Sequence, residues 1–241
     1  MEWVAVLSSV ATAVSAVVIA WQALLTRSAL TLTRETLSET RVTRLDSRAP
    51  RVLLGVPKYP NTEGAEIRQF TFGGGEFQDI VDGTLFTLPR HEEWEIRWRF
   101  TLSVMNDGPG SVVPEFESGM RVSVLEAGAL VPAGEVREFT VSVNRSVEEW
   151  IKAAETGWDK DAPATEELSL SIHGPNDSDV SDRWIIRLRG SLLEHPAGDR
   201  TGWAYTNATF NSLHTETQRE PRIYWRSRAS DETIRPAGAP I

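Results

Sequence analysis

The chain opens on an uninterrupted run of uncharged residues, Trp3 to Thr26 (WVAVLSSVATAVSAVVIAWQALLT). As a helix rising about 1.5 Å per residue, this run reaches roughly 36 Å, enough to cross a hydrocarbon core about 30 Å thick. Trp3 and Trp21 then lie about 27 Å apart along the axis, which sets one indole near each interface. A cleaved secretory signal would carry Lys or Arg ahead of a shorter apolar run. A core helix of a small domain is seldom uncharged for so long. Residues 1–26 are therefore read as a transmembrane anchor. Within it Ser8, Thr12, Ala16 and Ala20 form a row at spacing four. Small side chains in such a row let helix backbones approach closely in lipid, so the row is read as a helix-packing face that allows a homo-oligomer.

The pattern then becomes polar but stays helical. Residues 27–49 lack Gly and Pro, and Pro50 ends any helix by Ala49. Arg27, Arg34, Arg41 and Arg48 recur every seven residues and share one stripe. Leu30 with Leu37 and Leu25 with Leu32 form two others, too short a seam for a convincing coiled coil. The threonines along this stretch lower helix propensity, because β-branched side chains lose rotamer freedom there.

Beyond Pro50 the period drops to two. The sequence Trp94-Glu95-Ile96-Arg97-Trp98-Arg99-Phe100 trades apolar for charged residues at every step, the mark of a strand with one buried and one wet face. Further strands are expected at 51–56, 68–72, 84–88, 94–105, 112–125, 136–143, 167–173, 183–193 and 222–225. Gly73-Gly74-Gly75, Asn106-Asp107-Gly108-Pro109-Gly110 and Gly174-Pro175-Asn176-Asp177 supply the turns. One helix interrupts the series. Ser146 and Glu149 make a capping box, and Val147, Trp150, Ile151 and Ala154 line one face before Gly157. The expected fold is mainly β, an antiparallel β-sandwich over residues 50–225 carrying one short helix, with a closed barrel as the alternative. Residues 226–241 read as a flexible tail.

Charge refines the placement. Residues 1–51 carry a net +2 and the remainder −11 of the overall −9. An acidic body repels phosphate backbones, so no nucleic-acid partner is expected. The arginines follow the span directly, with Arg27 and Arg34 nearest the lipid headgroups. Basic flanks stay on the cytoplasmic side, which predicts a single-pass cell-membrane protein with its N-terminus outside and its body in the cytoplasm. The reverse topology is the alternative. The chain has no Cys, which removes disulfides, thiolate zinc sites and cysteine nucleophiles.

The span, the Thr/Arg/Glu-rich neck, the junction Ser47-Arg48-Ala49-Pro50-Arg51-Val52 and the turn Met105-Asn106-Asp107-Gly108-Pro109-Gly110 together resemble a broad group of uncharacterised bacterial membrane-anchored proteins. The resemblance implies an anchor with a sandwich, and it implies no activity.

Candidate chemistry is sparse. His91, His173, His195 and His214 form no H-x-x-x-H spacing, and no nucleophile elbow, P-loop or dinucleotide fingerprint is present. The acidic stretch 176–182 offers oxygen donors for Ca²⁺, but Asp182 stands where an EF-hand loop requires Gly. Glu92/Glu93 and Glu148/Glu149 look exposed and unsuited to acid–base work. The expectation is a non-enzymatic protein without metal or cofactor, whose partners are the lipid bilayer and an unidentified protein. A membrane-perturbing oligomeric effector is the second reading, and an enzyme with a site of scattered residues the third.

Overall fold

The computed structural model describes residues 2–60, 64–69, 75–156, 164–174, 180–196, 202–206, 213–227 and 232–234. One helix, α1, runs from Glu2 to Asp46, so the uncharged segment and the arginine-rich neck are a single element. At about 1.5 Å per residue it extends roughly 68 Å. Its threonines do not break it. The hydroxyls of Thr26, Thr31, Thr33, Thr36, Thr40 and Thr43 each donate to the carbonyl four residues earlier, at 2.8–3.0 Å. This bond fixes the χ1 rotamer and satisfies a hydroxyl that would otherwise compete with the helix.

The body is a β-sandwich of two antiparallel six-stranded sheets. The first contains β1 (Val52–Gly55), β2 (Glu66–Gln69), β3 (Gln78–Asp79), β5 (Trp94–Asn106), β7 (Val122–Val124) and β8 (Val136–Ser146). Its order is β3-β2-β5-β8-β7, with β1 beside β5. The second contains β6 (Val113–Ser118), β9 (Glu166–His173), β10 (Val180–Gly190), β13 (Leu213–Arg219), β14 (Ile223–Ser227) and β15 (Glu232–Ile234). Its order is β15-β14-β10-β9-β6, with β13 beside β10. A small third sheet joins β4 (Leu85–Phe86), β12 (Trp203–Tyr205) and β11 (Leu193–Glu194).

Period two governs the core as expected. Along β5, Ile96, Trp98, Leu102 and Val104 are fully buried while Arg99, Thr101 and Met105 face water. Phe116 of β6 meets Phe139 of β8 with ring centroids 5.2 Å apart, so aromatic rings bridge the two sheets. Helix α2 (Val147–Thr156) begins at the expected capping box. Ser146 Oγ accepts from Glu149 N at 3.2 Å, and Glu149 Oε2 accepts from Ser146 N at 3.1 Å. Val147, Trp150, Ile151 and Ala153 are its buried face, so Ala153 joins the apolar stripe expected to include Ala154.

Several features depart from the sequence reading, among them β3 and β12, which lie in no expected strand, and the run 183–193, which divides between β10 and β11. The run expected as one strand over 112–125 is two strands in different sheets, because Gly119-Met120-Arg121 turns the chain from β6, paired with β9, to β7, paired with β8. Strand β13 was not expected. Its sequence Leu213-His214-Thr215-Glu216-Thr217 buries only Leu and Thr, so it lacks a strong apolar signal. Part of the expected tail is ordered as strand, since Tyr224 and Trp225 of β14 pair with Ile234 and Thr233 of β15.

The turn after β5 is built on Asn106, which is fully buried. Its amide donates to Gly110 O at 2.8 Å and Val131 O at 3.0 Å, and its carbonyl accepts from Gly108 N at 3.0 Å. Gly108 packs so tightly that an added Cβ would lie 2.9 Å from the Arg51 nitrogen. Asn106→Ala is therefore expected to destabilise the body by about 1–3 kcal/mol, because the buried Gly108 N loses its partner while Val131 O keeps only its bond from Val112 N. A lowered urea midpoint at unchanged slope is the expected readout; a shift equivalent to less than about 0.5 kcal/mol would show that water replaces the amide.

Candidate functional site: the helix and its seat on the body

The features with the strongest physical signature are α1 and the place where it meets the sandwich. Among the described residues, one helix is long and apolar enough to cross a membrane, and its apolar stretch is not buried against the protein. Ala16, Ala20, Trp21, Arg27 and Arg34 all lie on this helix and are exposed. Trp3, Ser8 and Thr12 are on the same helix, in its first turns. Leu24, Leu25, Leu30, Leu32 and Leu37 also face outward.

The helix is seated by its last residue. Asp46 sits at a helix C-terminus, where the backbone dipole disfavours an anion. Its carboxylate is held instead by the body. Asp46 Oδ1 accepts from Arg222 Nη1 at 2.9 Å and from the Tyr224 hydroxyl at 2.9 Å. Just after α1, Ala49 and Pro50 are buried, and Pro50 O accepts from Arg222 Nη2 at 3.0 Å. Arg222 thereby ties two points of the incoming chain to the sandwich.

The other edge of the guanidinium engages Asp182, the third residue of β10. Arg222 Nε donates to Asp182 Oδ1 at 2.8 Å and Arg222 Nη2 to Oδ2 at 2.7 Å, a bidentate pair. Arg219 Nη2 adds a bond to Asp182 Oδ2 at 3.1 Å, while its guanidinium lies 5.2 Å from the Trp184 ring. The topology explains why both arginines reach one carboxylate. β13 pairs with residues 184–190 of β10 and β14 with residues 180–181, so the turn joining β13 to β14 passes Asp182. Asp182 is fully buried, and its two oxygens are covered by charged donors.

The electrostatics match. Hydrogen bonding to Asp182 is the main influence raising the Arg222 pKa above its ordinary value, so its charge persists at any accessible pH. Burial, followed by the bond to Asp46, pushes the Tyr224 phenol up.

This seat was not recognised from sequence, although one signal was present. Trp184, Ile186 and Leu188 point inward, and stepping back by two places Asp182 on the same face. An inward acid needs a cation, and Arg219 and Arg222 were the nearby candidates. The expected acidic loop divides accordingly. Residues 176–179 lie outside the described residues, whereas Ser181 and Asp182 belong to β10, where Asp182 is already spent on arginines.

The remaining candidates have structural partners. His91 Nδ1 accepts from Thr87 N at 2.9 Å, and the ring packs edge-on against Phe86 and Trp94. His173 lies 3.0 Å from Glu115, His214 lies 3.5 Å from Glu216, and His195 stacks on Trp203 with centroids 3.9 Å apart. Glu148 pairs with Lys152 at 2.6 Å, and Glu149 is taken by Arg121 and the helix cap. Among the described residues no group of three His, Asp or Glu could hold a metal ion.

The architecture is thus a long apolar helix at the N-terminus, rooted by an aspartate–arginine–aspartate seat in a β-rich body. Comparison with family models, with curated proteins and with solved structures finds no match to this chain.

Proposed function

We propose that this is a single-pass membrane protein whose cytoplasmic β-sandwich acts as a protein-interaction or scaffolding module, with α1 holding it at the cell membrane. The observation that carries the reading is the combination of an exposed apolar helix with a half-buried polar seat at its base, anchored on the buried Asp182. An apolar helix without a packing partner has lipid as its natural environment. A cleaved leader has no need of a rigid attachment, whereas a tether does. From Thr26 to Asp46 the helix would hold the body about 30 Å from the headgroups. The arginines beginning at Arg27 favour the cytoplasmic side.

The interaction half of the reading draws on the first sheet. Leu53, Met105 and Val136 are cross-strand neighbours on β1, β5 and β8, and all three are exposed. Contiguous apolar side chains on an otherwise charged surface mark a contact face.

Cell fractionation combined with photocrosslinking tests both halves. With a crosslinker at position 105, the full chain should pellet with membranes and give a discrete adduct to a second protein, and Val136→Glu should abolish that adduct while leaving the pelleting intact. Ala16→Arg should reduce pelleting severalfold, because an arginine at mid-span costs about 3 kcal/mol on insertion scales. Recovery of the native chain in the detergent-free supernatant would end the membrane reading. Crosslinks indifferent to Val136→Glu would end the contact-face reading.

A further inference from the structure

A cavity of about 270 Å³ lies between α2 and the ends of β8, β9 and β10, away from the helix seat. Three cationic side chains line it: Arg145 at the end of β8, Lys152 on α2 and Arg189 at the end of β10. Among the described lining residues Glu149 is the one carboxylate, and besides acting on Arg145 it has other partners. Arg121 pairs with it, and it caps α2 through Ser146 N. The hydroxyl-bearing Thr156 and Thr165 complete the polar wall. A concave, cation-lined wall is unusual on a chain whose net charge is −9.

Arg145 is the unusual member. Its side chain is 12% exposed, and among the described residues its ion-pair partner is Glu166, 3.4 Å from Nε, with Glu149 also acting on it. That approach makes no hydrogen bond: Arg145 Nε and Nη1 and Glu166 Oε1 are all buried without a hydrogen-bond partner. Buried charged groups normally have such bonds, and leaving them unmade is costly. Burial lowers the Arg145 pKa and raises that of Glu166, so each partner's charge is incompletely compensated. Arg189, by contrast, donates through Nε to Glu216 at 3.1 Å.

We propose that this cavity is a binding site for a small oxyanion, a carboxylate or a phosphate, held against Arg145 with Lys152 at the open rim. An anion there offsets the Arg145 charge by proximity from the cavity side, while Nε and Nη1, which have essentially no accessible surface, keep their present surroundings. Guanidinium suits the flat, paired oxygens of both ligand classes. The volume falls just below the usual range for small-molecule pockets, which favours a compact anion over a nucleotide or peptide. Lys152, 66% exposed and paired with Glu148, can turn toward a ligand at little conformational cost.

Isothermal titration of the full chain in detergent, with inorganic phosphate and separately with succinate at ionic strength fixed by chloride, tests the site. At least one probe should bind saturably, and the one preferred identifies the ligand class. Arg145→Met should weaken that binding about tenfold or more, the loss expected for one charge-assisted hydrogen bond. Lys152→Glu leaves the packed interior untouched and should abolish binding, which keeps the test decisive if Arg145→Met fails to fold. Heats no different from added chloride for both probes would overturn the proposal and leave Arg145 and Glu166 as a water-bridged ion pair. Unchanged affinity in Lys152→Glu would overturn it equally.

Discussion

Replacing Asp182 by alanine is expected to destabilise the body by about 3–5 kcal/mol, the usual cost of removing one partner from a buried ion pair. Asp182 is fully buried and takes three charge-assisted bonds, two from Arg222 and one from Arg219. Among the described residues, its loss leaves Arg222 with Asp46 as its charged partner. For a domain of this size the melting temperature should fall by roughly 6–20 °C. Asp46→Asn should cost much less, about 1 kcal/mol or below, because the Asp46 side chain is 43% exposed and water can take its place. The two variants separate strength from attachment. Asp182→Ala should lower the global melt, whereas Asp46→Asn should mainly speed trypsin cleavage at Arg48 and Arg51, beside the seat. A melting loss below about 1 kcal/mol for Asp182→Ala would mean that the arginines find other partners, and the seat would then not be what orders this end of the sandwich.

Trp150→Ala should have a comparable effect, about 3–5 kcal/mol, through packing rather than charge. Trp150 is fully buried where α2 meets both sheets. Its Nε1 donates to Ile96 O on β5 over a long 3.5 Å, and its own carbonyl accepts from Ser191 Oγ, just after β10, at 2.6 Å. The Arg145 guanidinium lies 5.6 Å from its ring. Trp150→Phe retains most of the volume and forfeits the weak indole bond, so it should cost only about 1–2 kcal/mol. Chemical denaturation of the pair distinguishes the two contributions. Equal losses for Ala and Phe would show that the indole hydrogen bond, not cavity formation, dominates.

What was legible in the sequence follows from short-range periodicity. The uncharged run, the Gly- and Pro-free neck, the alternation through β5 and the capping box at Ser146 each depend on residues within one or two turns or strand steps. Neighbouring residues alone therefore carry the signal. Those readings correspond to α1, the central strand and α2. The continuity of α1 was legible too, although propensity counts each threonine against a helix and omits the hydroxyl bond to the preceding turn.

Long-range pairing decided the rest. The run over 112–125 looked like one strand, and only the competing partners β9 and β8 divided it between sheets. β13 became a strand because β10 offered a free edge, despite its weak apolar pattern. Asp182 looked like a loop acid until residues 37 and 40 positions later placed guanidinium groups against it. Arg145 lay between the expected strand 136–143 and the capping box at Ser146, and only the longer β8 and the burial at its end left it without a good hydrogen-bonding geometry. The sequence by itself thus determined which segments are apolar, helical or alternating, because those properties are local. Where the ionic groups meet is set by which strands become neighbours, and that depends on loop closure and core packing across the whole chain.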